Sequence, residues 1–471
     1  MNVERQQGII EQLSLFEQVG SVIRPVDFRD AGSGSETNEE PQAFTAREQQ
    51  RALTQNLMER VVLPSNLNAA YRRVKANKGS AGIDEMSVDE LSPWLNTHKG
   101  QLIEQLLTGT YTPQQIRGVQ IPKPTGGMRQ LGIPTVVDRL VQQAILQVLE
   151  PILDSTFSPA SHGFRPGHSA HTALKQAQDH VAAGHEIVVD VDLEKFFDRV
   201  NHDVLMSRLS RWVGDKRLLR IIRRFLEAGM LQDGVKIRRV EGTPQGGPLS
   251  PLLANLLLDD LDKELERRGH RFCRYADDCN IYVRTKRAGE RVMQSITRFL
   301  ESRLRLRVNQ AKSAIAHVQE RQFLGYRLLR EGRLGISPAS LKRVKDRIRR
   351  ITRRNRGASL STVIRDLNEY LSGWVTYFRH AQCRHHLRQL DAWLRRRVRC
   401  YRLKQRKRAK PIADFLMEQG VPEWRSWILA LSGKGWWRMS GSPQANEAMP
   451  IQWFQEVGMI SLTSRYLLLN R

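Results

Sequence analysis

The stretch that decides the fold is RFCRYADDCNIYV, which runs from Arg271 to Val283. Its two apolar-rich arms flank the adjacent carboxylates Asp277 and Asp278, and this pattern predicts a β-hairpin with an acidic tip. Two anions held side by side repel each other unless a cation lies between them, so one interpretation of the tip is a divalent metal site. The other is a solvated turn, because aspartate is common in turns for local hydrogen-bonding reasons.

The charge of the whole chain indicates the class of partner. The 471 residues include 75 lysines and arginines against 49 aspartates and glutamates, a formal net charge of +26. Because 40% of the residues are hydrophobic, most of the chain should fold, and a folded protein with this excess favours a polyanion, with nucleic acid ahead of a membrane. The sequence shows neither a spanning apolar run nor a secretory signal. It therefore predicts a cytoplasmic, bacterial-type protein without a membrane partner.

Neither the cysteines nor the histidines follow a zinc-binding pattern. The cysteines lie far apart or at spacings without a CxxC pair: Cys273, Cys279, Cys383 and Cys400. This argues against a zinc knuckle and against a disulfide framework. The histidines closest to the predicted site are interpreted as structural or as contacts to a template: His162, His168 and His171.

Four segments differ in composition. Residues 1–44 contain a short amphipathic pattern and a flexible linker, so they are predicted to be an N-terminal extension. Residues 45–330 intersperse helical and strand patterns, which predicts an α/β or α+β domain. Its helical patterns include the stretches from Thr45 to Lys75 and from Val200 to Leu231. Residues 331–415 are dense in arginine with apolar residues at helical spacing, as in a bundle with basic outer faces. Residues 416–471, rich in tryptophan and glycine, are predicted to form a small module.

A metal site at the hairpin requires a third carboxylate. The strand pattern HEIVVDVDLEKFFD supplies Asp190 and Asp192, which share one face of a strand at a spacing of two. A carboxylate in so apolar a strand needs a partner or a function. The alternative is an exposed face of an edge strand, which is a more natural reading for Asp190 than for Asp192.

Three motifs occur in a fixed order along the chain. They are DLEKFFD at 192–198, TPQGGPLSP at 243–251 and YADD at 275–278, and together they resemble the catalytic motifs of reverse transcriptases. Two further blocks, RQLGIPT at 129–135 and HGFRP at 162–166, resemble those of group II intron-encoded reverse transcriptases, the maturases.

The resemblance covers the chain from about Asn66 to the C-terminus and implies a right-hand polymerase of the α/β (α+β) class. Fingers and palm with an antiparallel sheet would occupy 45–330, and an α-helical thumb, the maturase X domain, 331–415. A DNA-binding-like module would follow at 416–471. The paired cysteines of an endonuclease domain are missing, so the chain is most similar to the class C lineage.

The resemblance also implies the catalytic residues. Asp192, Asp277 and Asp278 would form a metal triad for two Mg²⁺ ions, the cation that hard oxygen ligands and phosphate favour. Asp277 would be the bridging metal ligand together with Asp192, and Asp278 would be a supporting metal ligand. Lys312 matches a family lysine that protonates the departing pyrophosphate.

Four residues match positions that bind the incoming deoxynucleoside triphosphate. Lys123 and Arg129 flank the fingers hairpin and match the pair that grips the triphosphate, a task suited to an ammonium and a guanidinium. Phe197 falls where a ring excludes a 2′-OH and so selects deoxynucleotides. Gln245, in the turn before a long helix, would contact nucleotide or template.

A further set is predicted to contact nucleic acid. Gly246 would allow close approach of the backbone, and Gly325 lies in the segment FLGYRL, which resembles the turn that cradles the primer end. The complete set is Arg165, Gly246, Tyr275, Gly325, Arg395, Arg396 and Arg397.

The predicted function is that of an RNA-directed DNA polymerase encoded by a group II intron. It would bind its intron RNA in a ribonucleoprotein, assist splicing, and copy the RNA at a DNA target by target-primed reverse transcription during retrohoming. One alternative is an RNA-binding splicing cofactor with little polymerase activity, against which the intact triad argues. Another is a domesticated reverse transcriptase in DNA repair or defence. The oligomeric state is left open.

Overall fold

The computed structural model describes residues 54–122, 127–232, 235–237 and 241–470. The predicted N-terminal extension and Lys123 lie outside these residues. The chain divides into two compact units, the first comprising residues up to Ala177 with Ile187–Ile315, and the second Gln178–Glu186 with everything from Ala316 onward.

The first unit mixes helices and two four-stranded sheets. Its helices are α1 Leu57–Val62, α2 Pro64–Ala76, α3 Leu91–Leu107, α4 Val136–Asp154, α5 Ala170–Ala182, α6 His202–Leu209, α7 Lys216–Glu227, α8 Ser250–Arg267 and α9 Lys286–Phe299. Helix α9 continues as a π-helix over Leu300–Leu304. The strands are β1 Ile116–Pro122, β2 Met128–Ile133, β3 Ile187–Val191, β4 Met230–Gln232, β5 Val235–Ile237, β6 Arg271–Tyr275, β7 Asp278–Val283 and β8 Ala314–His317. The last residues of α5 and of β8 belong to the second unit.

The two sheets have different topologies. In one, with order β2-β1-β4-β5, β1 and β2 form the antiparallel hairpin that the sequence predicted, and β4 runs parallel to β1. In the other, with order β6-β7-β3-β8, β7 lies between β6 and β3 and is antiparallel to both. The predicted acidic hairpin is therefore one half of a four-stranded sheet, with β6 at the edge and β7 inside.

Burial of leucine-rich helices against the second sheet explains the position of the hairpin. Helices α4 and α8 are amphipathic and bury residues such as Leu140 and Leu257 completely, and Ile281 of β7 is equally buried. At roughly 25 cal/mol per Å² of apolar surface, each such side chain contributes about 1.5–3 kcal/mol. The hairpin is therefore supported by a large, well-packed hydrophobic core.

Two predicted helical stretches differ in the structure. The pattern from Thr45 to Lys75 is divided into α1 and α2 in its described part, because Pro64 lacks an N–H and begins the second helix. The stretch from Val200 to Leu231, predicted to be helical, ends in β4, because Met230 and Leu231 pair with β1.

The second unit is almost entirely helical. A hairpin of β9 Tyr326–Leu328 and β10 Leu334–Ile336 precedes α10 Pro338–Ile351, α11 Leu360–Tyr377, α12 Arg384–Arg406, α13 Ala409–Glu418, α14 Glu423–Ala430, α15 Trp436–Met439, α16 Pro443–Ala448, α17 Ile451–Glu456 and α18 Leu462–Leu469. A mixed region followed by a helical one confirms the predicted α/β (α+β) architecture. In the part of the chain that the structure describes, no helix is long and apolar enough to cross a membrane.

The last helices pack on the middle of this unit. Asp391 of α12 accepts hydrogen bonds from the backbone N–H groups of Leu462 and Thr463 at the start of α18. The proposed boundary at residues 415/416 therefore falls inside one compact unit.

Candidate active site

The acidic hairpin closes in a two-residue turn. Tyr275 pairs with Asp278 across the hairpin, so Ala276 and Asp277 are the central residues of the turn. Ala276 has a φ of +58°, a conformation that residues other than glycine, asparagine and aspartate rarely adopt. Of the two carboxylates predicted at the tip, only Asp277 lies in the turn, because Asp278 is already the first residue of β7.

The sheet register brings the third carboxylate to the hairpin. Strand β3 pairs with β7 such that Val191 faces Cys279, and continuing this register by one residue sets Asp192 beside Asp278. The backbone of Asp192 is fixed on its other side, because its N–H donates to Ser313 Oγ at 3.0 Å and its carbonyl accepts from the Asn309 N–H at 2.8 Å.

The same contacts place the predicted catalytic lysine. Lys312 lies within this turn, and its Nζ is 3.7 Å from Asp192 Oδ2. The structure therefore brings Lys312 next to the acidic set, although the two residues are 120 positions apart in the sequence.

The carboxylates share an environment that resists joint ionisation. Burial first, and then the charge of Asp192, raises the pKa of Asp277, whereas the charge of Arg129 opposes the shift. The pKa of Asp278 rises to about 7, chiefly from partial desolvation and then from Asp277, Asp190 and Asp192. Such a set is stabilised by a bound cation.

The carboxylate oxygens of Asp192, Asp277 and Asp278 are suitable ligands for Mg²⁺, but the side chains are not arranged as a complete coordination site. Hard carboxylate oxygens are the ligands that Mg²⁺ prefers. Among the residues with a described position, no three His, Cys, Asp or Glu side chains converge closely enough to hold a metal ion. Binding of the cation with its phosphate ligands would therefore have to draw the carboxylates together.

A buried arginine anchors the turn from behind. The Arg274 and Asp262 side chains are completely buried and form an ion pair in which Nη2 and Oδ2 are 2.5 Å apart. Arg274 Nη1 also donates to the carbonyl oxygen of Ala276 at 2.8 Å and to Asn255 Oδ1 at 3.0 Å. The backbone of the acidic turn is thus tied to helix α8, which supplies Asn255 and Asp262.

Gly163 packs against the same turn. A Cβ built on Gly163 would lie 2.2 Å from the backbone nitrogen of Ala276, far inside contact distance. The Gly163 carbonyl oxygen accepts a hydrogen bond from Asn255 Nδ2 at 2.8 Å, which holds the glycine in place. Four residues of this support were not predicted from the sequence as parts of the site: Gly163, Asn255, Asp262 and Arg274. Charged residues inside the apolar segments RFCRY and LLLDDLD were the available signal, because a charge there requires a partner.

Replacing Gly163 with alanine is expected to displace the turn and to lower polymerase activity about 100-fold, since an error of about 1 Å in a reacting group can cost this much. Steady-state primer extension measures the effect. Gly100→Ala is the control, because Gly100 lies in α3 with no atom within 4 Å of an added Cβ. Equal activity of the two variants would contradict a tight contact at Gly163.

The predicted nucleotide-binding residues in the described part all lie in the first unit. Arg129 is an exposed residue of β2, and Phe197 is half-buried in the short helical turn after β3. Gln245 is joined to β2, because its carbonyl oxygen accepts from the Gly132 N–H at 2.9 Å. Gly246 has a φ of +135°, and a Cβ there would lie 2.4 Å from the Gly132 carbonyl oxygen. A side chain at this position would therefore clash with the backbone of β2, whether or not a nucleic acid is bound.

Arg165 was predicted to contact nucleic acid, but its guanidinium is used within the protein. Its Nε donates to Asp154 Oδ1 at 2.6 Å, and Nη1 donates to the carbonyl oxygens of Ser158 and Ser161. Only 7% of its side chain is exposed. These contacts favour a structural role, in which Arg165 holds the loop that leads to Gly163. Tyr275, by contrast, is half-buried beside the exposed ring of Phe164, with 6.5 Å between the ring centroids.

The remaining predicted contacts lie in the second unit. Gly325 adopts a φ of +79°, and its carbonyl oxygen accepts hydrogen bonds from Ser337 N–H and Ser340 Oγ. Arg396 stacks on Trp437, 4.4 Å from the ring centroid to Cζ, and Arg397 donates from Nε to Thr352 Oγ1. Arg395 is half-buried. Arg396 and Arg397 therefore already have protein partners.

Comparison with known proteins agrees with these observations. Residues 121–328 match the family described as reverse transcriptase (RNA-dependent DNA polymerase), and residues 341–419 match the group II intron, maturase-specific domain. The first match contains all four predicted catalytic residues. The second covers most of the arginine-rich helices.

Several known proteins are similar to this chain. Protein YkfC of Escherichia coli is 33% identical over 59% of this chain and 84% of its own length. The group II intron-encoded protein LtrA of Lactococcus lactis is 30% identical over 59% of this chain, which spans 58% of LtrA. A solved chain of a partial Cas6-RT-Cas1–Cas2 complex is 29% identical over 53% of this chain and 43% of its own, with a TM-score of 0.35. The chain therefore belongs to the group II intron reverse transcriptase and maturase family, with a right-hand polymerase fold.

Proposed function

We propose that this protein is an active RNA-directed DNA polymerase. The observation that carries the proposal is the convergence of Asp192, Asp277 and Lys312 around the turn of one hairpin, inside the segment that matches reverse transcriptases. A vestigial enzyme has no need to keep mutually repelling carboxylates on a rigid base. The matching reverse transcriptase family supports RNA as the template and deoxynucleoside triphosphates as substrates.

The residues of the site have separable roles in this proposal. Asp192 and Asp277 would hold the metal ions jointly, with Asp278 as a supporting ligand. Two Mg²⁺ ions there would activate the primer 3′-OH and neutralise charge that builds up on the triphosphate. Lys312, whose Nζ lies 3.7 Å from Asp192 Oδ2, would donate a proton to the departing pyrophosphate.

Other residues would bind and select the nucleotide. Arg129 carries a fixed charge that already acts on Asp277, so it can orient a triphosphate toward the acidic set. Lys123 would complete this grip. The Phe197 ring would exclude a 2′-OH, and Gln245 would contact the nucleotide or the template.

We further propose that the protein binds its intron RNA, assists its splicing, and copies it at a DNA target by target-primed reverse transcription. The match of residues 341–419 to the maturase-specific domain and the net charge of +26 support RNA binding. The likeness to LtrA, a group II intron-encoded protein, supports an intron as the source of that RNA.

The direct test is cDNA synthesis. Purified protein with Mg²⁺, a DNA primer annealed to an RNA template and deoxynucleoside triphosphates is expected to extend the primer, and chelation of the metal is expected to stop extension completely. Restoring Mg²⁺ should restore activity, because the core that supports the hairpin does not depend on the ion. Extension that persists in excess chelator would contradict metal-dependent catalysis, and no extension at all would contradict the polymerase proposal.

A further inference from the structure

A cationic cleft lies in the first unit, and its lining residues differ from those of the acidic turn. A cleft of about 670 Å³ opens between α8 and the end of α9. Six cationic residues line it against two carboxylates: Arg208, Lys263, Arg267, Arg268, Arg298 and Arg303 against Asp260 and Glu264. None of these residues takes part in the polymerase site described above.

The two carboxylates are already neutralised. Arg208 Nε lies 2.8 Å from Asp260 Oδ2, and both Arg267 and Arg268 contact Glu264 Oε1. These bonds lower the pKa of Glu264 to about 2, with the hydrogen bond from Arg267 as the largest cause. Glu264 therefore remains ionised, both carboxylates orient the arginines through these ion pairs, and an additional anion would meet the surplus positive charge.

Arg298 and Arg303 carry that surplus. Both side chains are exposed, and neither forms an ion pair with any residue that the structure describes. Arginines that face a cleft without a carboxylate partner are suited to phosphate, which they bind through paired N–H groups.

The π-helix explains why both arginines face the cleft. In an α-helix with 3.6 residues per turn, positions five apart point about 140° away from each other. Hydrogen bonds from residue i to i+5 bring such positions together instead, and the helix changes to this form at Leu300. Arg298 and Arg303 can thus share one opening, with Ser302 between them. Helix segments of this kind occur frequently at functional sites.

The remaining lining suits a nucleic acid strand. The half-buried ring of Phe299 lies among the arginines, and Ser295 and Ser302 add hydroxyl groups. A cationic groove with an aromatic ring is the combination that binds single strands, since phosphates meet the cations and a base stacks on the ring. An acidic peptide would use the cations but not the ring.

We propose that this cleft, the α8/α9 cleft, binds a single-stranded RNA segment outside the polymerase site. The inference rests on the proposed function only in taking RNA as the polyanion. A strand held there would be anchored to the protein while the acidic turn acts on a primer, so binding and synthesis can be separated by mutation.

The test compares two double variants with the same change of charge. Arg298→Glu/Arg303→Glu alters the cleft, whereas Arg287→Glu/Arg291→Glu alters exposed arginines of α9 that do not line it. Binding of a single-stranded RNA oligonucleotide is measured from about 50 to 200 mM salt. The cleft variant is expected to lose roughly tenfold to a hundredfold in affinity and about 1.4 units of salt slope, about 0.7 for each lost contact to a single-strand phosphate.

Equal losses in both variants, or none in the cleft variant, would overturn the proposal. A parallel titration with dATP distinguishes a strand from a free nucleotide, and a loss of dATP binding without a loss of RNA binding would also overturn it. Extension of a short primer on RNA is measured in the same preparations. The cleft variant should keep this activity, and its absence in the unaltered protein would count against the proposed polymerase function alone.

Discussion

Asp277→Ala is expected to abolish primer extension, with a loss of about 1000-fold or more. Removing a ligand shared by the metal ions withdraws several kcal/mol of transition-state stabilisation, and each 1.36 kcal/mol corresponds to a factor of ten in rate. Arg129 and Lys312 would then face an incomplete acidic set. The rate is measured by primer extension on RNA at saturating Mg²⁺, so that weakened metal affinity does not contribute.

The same variant is expected to unfold at a slightly higher temperature than the unaltered protein. Asp277 and Asp278 repel each other, and Asp277 is the largest electrostatic contributor to the raised pKa of Asp278. Deleting one carboxylate relieves this repulsion when no metal is bound. Asp89→Ala, at an exposed acid on the loop before α3, is the control and should change neither property. An active Asp277→Ala protein would refute the metal assignment, and a strongly destabilised one would indicate a structural role.

Asp262→Ala is expected to lower the free energy of unfolding by about 3–5 kcal/mol. Both partners of the Asp262–Arg274 ion pair are completely buried, and removing one leaves an uncompensated charge in the core. Arginine cannot release its proton to escape this cost. Urea denaturation measures the loss through the shift of the midpoint. An equal stability of Asp262→Ala and the unaltered protein would contradict the buried pair.

A double variant separates the stability of this pair from its effect on the turn. Asp262→Leu/Arg274→Met replaces the pair with apolar side chains, and such replacements are often neutral or stabilising. Stability should therefore largely return, whereas primer extension should stay low because the Ala276 carbonyl oxygen has lost its donor. Extension at the unaltered rate in this double variant would show that Arg274 does not position the turn.

The position of the acidic hairpin could be predicted from the sequence. Alternation of apolar residues around Asp277 and Asp278 predicted the hairpin, and the structure has it as β6 and β7. The structure differs in detail, because the pairing of Tyr275 with Asp278 leaves only Asp277 in the turn. Local patterns specify a turn region well, but the register across it depends on packing against neighbouring strands.

Arg165 shows what a sequence motif leaves out. Its place in the HGFRP block, which resembles a family block, predicted a contact to nucleic acid, and in the structure its guanidinium donates to Asp154 and to nearby carbonyl oxygens. The sequence does not show how many hydrogen-bond donors of a side chain bind to acceptors within the protein. Arg274 is the converse case, because the sequence predicted it only as part of a strand and the structure shows it donating to the Ala276 carbonyl oxygen of the acidic turn.

The sequence by itself determined the family, the mixed and then helical architecture, and the residue types of the acidic set, because these depend on ordered motifs and on periodicity along the chain. Only the tertiary structure decided which residues meet. The β3–β7 register sets Asp192 beside Asp278, the turn after the π-helix brings Lys312 to Asp192, and the buried pair of Arg274 and Asp262 fixes the turn. Such contacts join positions many residues apart, so their energies arise from packing and burial that no local pattern contains.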